Sequence, residues 1–75
     1  MNVTTEEIRA IKPGATEVFY CDVDKMPSLA TVLSDLKTYK KMPDGVVAYE
    51  HKKFKDKGIV IIRAMRENDV PMLNN

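Results

Sequence analysis

The chain has very few of the residues from which small proteins build covalent or metal crosslinks. Its 75 residues include one cysteine, Cys21, and one histidine, His51. A single cysteine excludes a disulfide within the chain. One cysteine and one distant histidine cannot supply the roughly four closely spaced ligands of a structural zinc site. We therefore predict no metal and no cofactor, and a fold that depends on tight packing or on self-association.

Long apolar segments are also missing. The longest purely aliphatic run is residues 59–62, whereas about 20 apolar residues are needed to cross a bilayer. The first residues lack the basic and apolar regions of a signal peptide. The sequence therefore predicts a soluble cytoplasmic chain without membrane contact, in which Cys21 stays reduced.

The residue combinations that carry catalysis are incomplete. Cys21 and His51 are the only pair that could form a thiol–imidazole dyad, and a dyad needs direct contact. Asp22 and Asp24 resemble the start of a calcium loop, but the glycine and the terminal glutamate of that loop are missing. Asp24 suits a helix cap better. We predict no enzymatic activity and no small-molecule substrate.

Charge is plentiful and unevenly distributed. The chain carries +1 overall, which divides into −3 for residues 1–36 and +4 for residues 37–75. Residues 37–66 hold nine basic side chains against three acidic ones, a net charge of +6. Such asymmetry indicates an anionic partner, or attraction between two halves or two copies of the chain.

Local patterns predict five elements. Thr4 and Glu7 fit a capping box, so a short helix begins there, and it ends before Pro13. Residues 16–23, rich in β-branched and aromatic side chains, predict a first strand. A second helix is predicted from Pro27 or Ser28 to residue 41, capped by Asp24 or Ser28. Its apolar positions recur at intervals of three and four residues: Leu29, Val32, Leu33, Leu36 and Tyr39.

The last two elements form a hairpin. Residues 46–54 and 59–67 predict two strands, and Gly58 suits the left-handed position of the turn between them. The order α-β-α-β-β thus predicts an α+β fold, with a single domain over residues 1–67. Residues 68–75 are predicted to be a frayed tail.

The strand order follows from the crossover rule and from the composition of the strands. A strand–helix–strand connection leaves the first two strands parallel. Residues 59–62 are apolar on both faces, as in a central strand, whereas Lys52, Lys53 and Lys55 suit an edge strand. We therefore predict a three-stranded sheet in the order 1-3-2, a split β-α-β unit, with one main helix on one face.

The second face of this sheet is predicted to be apolar. We expect Val47, Tyr49, Ile59, Ile61 and Met65 on one side and Phe54, Val60, Ile62 and Ala64 on the other, although a slip of one residue would exchange the faces. Either the N-terminal helix or a second protomer would cover the exposed side. A homo-oligomeric protein-interaction adaptor would use a face comprising Tyr20, Tyr49, Ile61 and Met65.

The basic segment is the second candidate site. Lysine point charges suit contact with the phosphate backbone, and no arginine- or asparagine-rich helix is present to read bases. The candidate nucleic-acid-binding residues are Lys40, Lys41, Lys52, Lys53, Lys55, Lys57, Arg63 and Arg66. Tyr39, Tyr49 and Phe54 are interleaved with them and would stack on bases if exposed. The alternative is that the lysines only protect an edge strand from aggregation.

The stretch IRAIKPGATEVFYCD, residues 8–22, followed by the distal hairpin, resembles small accessory proteins encoded by phages and integrated mobile elements. Those proteins share a short helix, a lysine-proline-glycine turn, a strand, a helix and a closing hairpin. The resemblance covers most of residues 4–67 and carries no catalytic residues. It implies an accessory protein that handles DNA or acts on a host partner protein.

Overall fold

The three strands of the protein form one sheet with β3 in the centre. The structure is a computed structural model that describes residues 3–39 and 41–71. Its elements are helix α1 (Thr5–Arg9), strand β1 (Thr16–Tyr20), helix α2 (Met26–Thr38), strand β2 (Ala48–Phe54) and strand β3 (Ile59–Met65). The order is β1-β3-β2, with β3 antiparallel to both neighbours. The predicted α+β fold, its strand order and its split β-α-β connection are confirmed.

Helix α1 begins at the predicted capping box. The Glu7 N–H donates to the Thr4 hydroxyl at 3.2 Å, and the Thr4 N–H donates to the Glu7 carboxylate at 3.1 Å. A helix of five residues is too short to be stable by itself. Ile8 and Ile11, which are fully or almost fully buried, anchor it in the core.

Helix α2 starts earlier than predicted and has a different N-terminus. Its N-cap is Lys25, with no side-chain hydrogen bond, so the predicted caps Asp24 and Ser28 are wrong. A 3-10 turn, Val23–Lys25, leads directly into the helix, and the Lys25 N–H donates to the Asp22 carbonyl at 2.9 Å. The hydrogen bonds of this turn satisfy some of the backbone N–H groups at the start of the helix, so no side-chain cap is needed.

The strands are shorter than predicted. β1 ends at Tyr20 rather than at residue 23, because the Cys21 N–H makes the last pairing, to the Gly58 carbonyl at 2.9 Å. Beyond that point β3 has no residue left to pair. β2 begins at Ala48 instead of residue 46, and β3 ends at Met65 instead of residue 67. Gly58 has φ +62°, which confirms its predicted left-handed position in the hairpin turn.

Both helices cover the same face of the sheet. Val60, Ile62 and Ala64 of β3 are completely buried on this face. They share one core with apolar side chains of both helices, among them Ile8, Met26, Leu29, Leu33 and Leu36, and with Ile11 from the segment after α1. Of the two predicted candidates for covering the second face, α1 or a second protomer, α1 is therefore excluded. Among the described residues, no helix is long and apolar enough to cross a membrane.

The predicted division of β2 between the two faces is also wrong. Tyr49 lies opposite Ala64, so it belongs to the helix-covered face, and Phe54 lies opposite Ile59 on the other face. The predicted assignment of β2 is therefore displaced by one residue, which exchanges its faces. Phe54 consequently joins the side of the sheet that neither α1 nor α2 covers.

Candidate nucleic-acid interface

We call the sheet face on which none of the described helices packs the open face. It consists of side chains in cross-strand rows, because residues directly opposite each other in an antiparallel pair share a face. Its members are Thr16, Val18, Tyr20, Ala48, Glu50, Lys52, Phe54, Ile59, Ile61, Arg63 and Met65. The end of the sheet at the turn of residues 55–58 is called the hairpin end.

Two rows of the open face at the hairpin end combine aromatic, aliphatic and basic side chains. The first row is Tyr20, Ile59 and Phe54, and the second is Val18, Ile61 and Lys52. Tyr20 is 73% exposed and Val18 is 59% exposed. The outer members of a row lie about 10 Å apart, across two strand spacings.

Phe54 holds two cations over this end of the sheet. The Lys52 ammonium lies 5.4 Å from the centre of the Phe54 ring, and the Lys57 ammonium lies 6.0 Å from it. Both distances are within the range of cation–π attraction. Lys55 is exposed in the turn between these two lysines in the chain. Three basic side chains therefore lie at the hairpin end, two of them oriented by one aromatic ring.

The opposite end of the open face is closed by ion pairs and by the C-terminal segment. Arg63 donates to the Glu50 carboxylate at 3.1 Å and to the Val70 carbonyl at 3.0 Å. Its guanidinium also lies 3.5 Å from the Asp69 carboxylate. These contacts draw residues 69–70 onto the sheet, so the apolar surface remains accessible at the hairpin end. Of the predicted frayed tail, residues 72–75 lie outside the described part of the chain.

Asp69 is the centre of this closure. Its carboxylate accepts from the Arg66 backbone N–H at 2.7 Å, from Arg66 Nε at 3.1 Å and from Arg66 Nη2 at 3.0 Å. These hydrogen bonds, with the nearby charges of Arg66 and Arg63, lower the pKa of Asp69 from 3.8 to about 2. The same pairing raises the pKa of Arg66. Both arginines predicted to bind phosphate are thus engaged with carboxylates of the chain.

The predicted basic site is only partly assembled. Lys52, Lys55 and Lys57 share the hairpin end. Lys53 lies opposite Val60, on the helix-covered face. Lys41 is exposed beyond the end of α2, where its carbonyl accepts from Arg9 Nε at 2.8 Å. Lys40 lies outside the described residues.

The end of α2 and the hairpin turn lie at opposite ends of the molecule. The chain leaves β1 at the hairpin end, as the bond from Cys21 to Gly58 shows. Helix α2 then runs back along the sheet, about 20 Å for its 13 residues. β2 therefore starts opposite Met65, at the far end. Lys41 and the hairpin lysines consequently do not form one surface.

The predicted interaction face is likewise divided. Tyr20 and Ile61 lie in adjacent rows of the open face. Met65 is on the same face but at the closed end, where it is buried. Tyr49 is on the other face, and its hydroxyl is buried without a hydrogen-bond partner in the described residues. Burial raises the pKa of Tyr49.

Cys21 and His51 do not form a dyad. Cys21 is level with Gly58 and His51 with Ile62, so they lie about 13 Å apart along the strands and on opposite edges of the sheet. The buried Cys21 thiol donates to the Asp22 carbonyl at 3.6 Å. Burial and the Asp22 carboxylate raise the thiol pKa, whereas burial and Lys53 lower the pKa of His51. A thiol with a raised pKa has little thiolate character.

Phe54, predicted to stack on bases if exposed, lies instead beneath the ammonium groups of Lys52 and Lys57. Val18 and Ile59 were missed because the register that places them in the same two rows as Lys52 and Phe54 is a tertiary property. The described residues contain no group of three or more His, Cys, Asp or Glu side chains that could hold a metal. No protein-family model, curated protein or solved structure matches the chain.

Proposed function

We propose that the protein binds single-stranded nucleic acid on the hairpin end of its open face, without reading the base sequence. The observation that carries this proposal is the row Tyr20–Ile59–Phe54, with the ammonium groups of Lys52 and Lys57 held over the Phe54 ring. Sheet faces with exposed aromatic rings beside basic side chains are a common arrangement for binding unpaired bases.

Tyr20 provides the surface on which a base stacks. Tyr20 is 73% exposed, so a base can cover its ring without displacing other side chains. Ile59 and Val18, which are neighbours of Tyr20 on the open face, extend the apolar area under the same base. Stacking does not depend on base identity, because every base presents a π-face.

The lysines provide the contact with phosphate. Lys52 and Lys57 lie over the ring of Phe54, whose strand is two strand spacings, about 10 Å, from the strand of Tyr20, so the phosphates next to a stacked base can reach them. Lys55 in the turn adds a third positive charge. Lysines act as point charges and carry no base specificity, and Arg63 and Arg66 are occupied by Glu50 and Asp69. The expected binding is therefore sequence-independent and sensitive to salt.

The test is the affinity for a labelled oligothymidine of about 12 nucleotides at low salt, measured by fluorescence anisotropy. Tyr20→Leu removes the ring and keeps an apolar side chain, and should weaken binding roughly five- to hundredfold. Tyr39→Leu is the matched control, since Tyr39 is 66% exposed at the end of α2, remote from the hairpin end. It should bind as the unmodified protein does. Oligouridine in a parallel titration compares RNA with DNA.

Two outcomes would contradict the proposal. Equal weakening by the two tyrosine substitutions would mean that the loss of affinity is not specific to stacking on Tyr20. If the protein binds no single strand at low salt, the lysines serve only to protect an edge strand from aggregation. The alternative prediction, an adaptor that docks on a partner protein, would then take precedence, with Tyr20 and Ile61 as the part of its predicted face that stays together. The accessory role in a phage or mobile element, implied by resemblance alone, fits either case.

A further inference from the structure

Within residues 3–39 and 41–71, the outer edge of β1 carries backbone groups without a neighbouring strand. β1 is the last strand on its side of the sheet. The Cys21 N–H donates to Gly58 at 2.9 Å and the Ala64 N–H donates to the Ala15 carbonyl at 3.0 Å. Because alternate residues of an antiparallel strand bond to the same neighbour, the odd-numbered residues from 15 to 21 face β3. The N–H and C=O groups of Thr16, Val18 and Tyr20 therefore point outward.

The two edges of the sheet are not equally protected against pairing. The β2 edge carries Lys52 and Lys53, and lysine on an edge strand is a common means of preventing association. β1, whose sequence is TEVFY, has no lysine, no proline and one charged residue, Glu17. All its residues except Phe19 are exposed. The β1 edge thus has the properties of a strand that pairs.

We propose that a second copy of this chain pairs with the β1 edge, antiparallel and about a two-fold axis at Val18. This pairing sets Val18 opposite the partner's Val18, and Thr16 opposite the partner's Tyr20. The three outward-facing residues of each strand would form about six backbone hydrogen bonds. The inference goes beyond the proposed function and does not depend on nucleic-acid binding.

The sequence of β1 is complementary to itself in this register. On the helix-covered side, Glu17 lies opposite the partner's Phe19, so the two glutamates are not directly opposed. Like charges directly opposite each other would be destabilising, and the register avoids them. On the open face, Val18 lies opposite the partner's Val18, and Thr16 lies opposite the partner's Tyr20. Pairs of β-branched side chains, and of β-branched with aromatic side chains, stabilise neighbouring strands.

Pairing at the β1 edge leaves the open face of each copy accessible and joins the two faces into one surface of twice the area. The result is a six-stranded sheet in which the row Phe54–Ile59–Tyr20 continues into the partner's Thr16. The partner's own row then lies about 14 Å further along the strands, at a distance of four residues. A dimer formed by stacking two open faces would instead bury Tyr20 and both cations over Phe54. The two arrangements therefore make opposite predictions for the backbone amides of β1.

The test combines solution mass with amide hydrogen exchange. Sedimentation or light scattering over about 10–500 μM, a range that reveals moderate affinities, should show a dimer. The amides of Val18 and Tyr20 should become protected as the dimer forms. A monomer mass throughout the range would overturn the proposal. A dimer in which these two amides exchange as exposed groups would overturn it as well, in favour of stacked faces.

A proline substitution isolates the edge. Val18→Pro removes one outward N–H and no bond to β3, and proline is tolerated in an edge strand with its nitrogen facing outward. It should make the protein monomeric without loss of the fold, as checked by circular dichroism. His51→Pro removes an outward N–H from the β2 edge and should remain dimeric. If both variants stay dimeric, β1 is not the interface. If Val18→Pro unfolds, Val18→Lys, which places like charges on the two-fold axis, gives the same test.

Discussion

Tyr20 and Phe54 lie on either side of Ile59 in one cross-strand row, one ring exposed and the other beneath two lysine ammonium groups. The two aromatic residues come from opposite edge strands, 34 positions apart in the chain by their numbers. Their proximity depends on β3, which pairs with both strands.

The first prediction concerns salt. If Lys52, Lys55 and Lys57 each contact a phosphate of a single strand, their joint replacement by glutamine should flatten the slope of log K against log salt by about 2. The matched control is the triple replacement of Lys12, Lys37 and Lys41, which are exposed at the opposite end of the molecule. That variant has the same net charge and should keep the original slope. Equal flattening in the two variants would show that overall charge, not the hairpin end, governs binding.

The second prediction concerns the buried hydroxyl of Tyr49. Its oxygen has no hydrogen-bond partner among the described residues, and an unsatisfied buried polar group is destabilising. Tyr49→Phe should raise the free energy of unfolding by about 1 kcal/mol, measured by urea denaturation. Tyr20→Phe, at an exposed ring, should change it little. A loss of stability in Tyr49→Phe would show that the hydroxyl makes a bond in solution.

The third prediction concerns acid stability. The pKa of Asp69 is lowered to about 2 in the folded chain and returns to about 3.8 on unfolding. A carboxylate with a lowered pKa stabilises the fold above its unfolded pKa, and this stabilisation is lost as the pH falls from about 4 to about 2. Asp69→Asn should be less stable than the unmodified protein at pH 6, and the difference should shrink toward pH 2.

Thermal unfolding at a series of pH values measures this difference. Asp44→Asn is the control, because Asp44 is exposed in the turn before β2. Its stability difference from the unmodified protein should stay nearly constant over the same range. If Asp69→Asn behaves in the same way, the pairs of Asp69 with Arg66 and Arg63 do not contribute to stability.

The strand order was predictable, whereas the faces of β2 were not. Residues 59–62 are apolar on both sides, and the lysines of β2 indicate an edge, so the sequence contains enough information to place β3 in the centre. Polar and apolar residues do not alternate clearly along β2. Lys52 and Lys53 lie on opposite faces, and so do the aromatic residues Tyr49 and Phe54. Without a one-sided pattern, the register depends on tertiary packing.

Most residues of the candidate site were predictable from the sequence, but their arrangement in one site was not. Lys52, Lys55, Lys57 and Tyr20 were all singled out, but in two separate sites. The separation of the hairpin from the end of α2 does follow from the predicted topology, since a crossover helix runs antiparallel to the strands it connects. The closure by Asp69 does not, because a sequence does not show which surface charges pair.

The most direct test of the account is a titration of the isotopically labelled protein with an unlabelled oligothymidine, followed residue by residue in proton–nitrogen correlation spectra. We expect the largest chemical-shift changes at the hairpin end of the open face, at Val18, Tyr20, Lys52, Phe54, Lys57 and Ile59. The amides of α2 and of Lys41 should change little, since they lie on the covered face or at the far end. Shift changes centred on the end of α2, or none at saturating oligonucleotide, would contradict the proposal that the open face binds single strands.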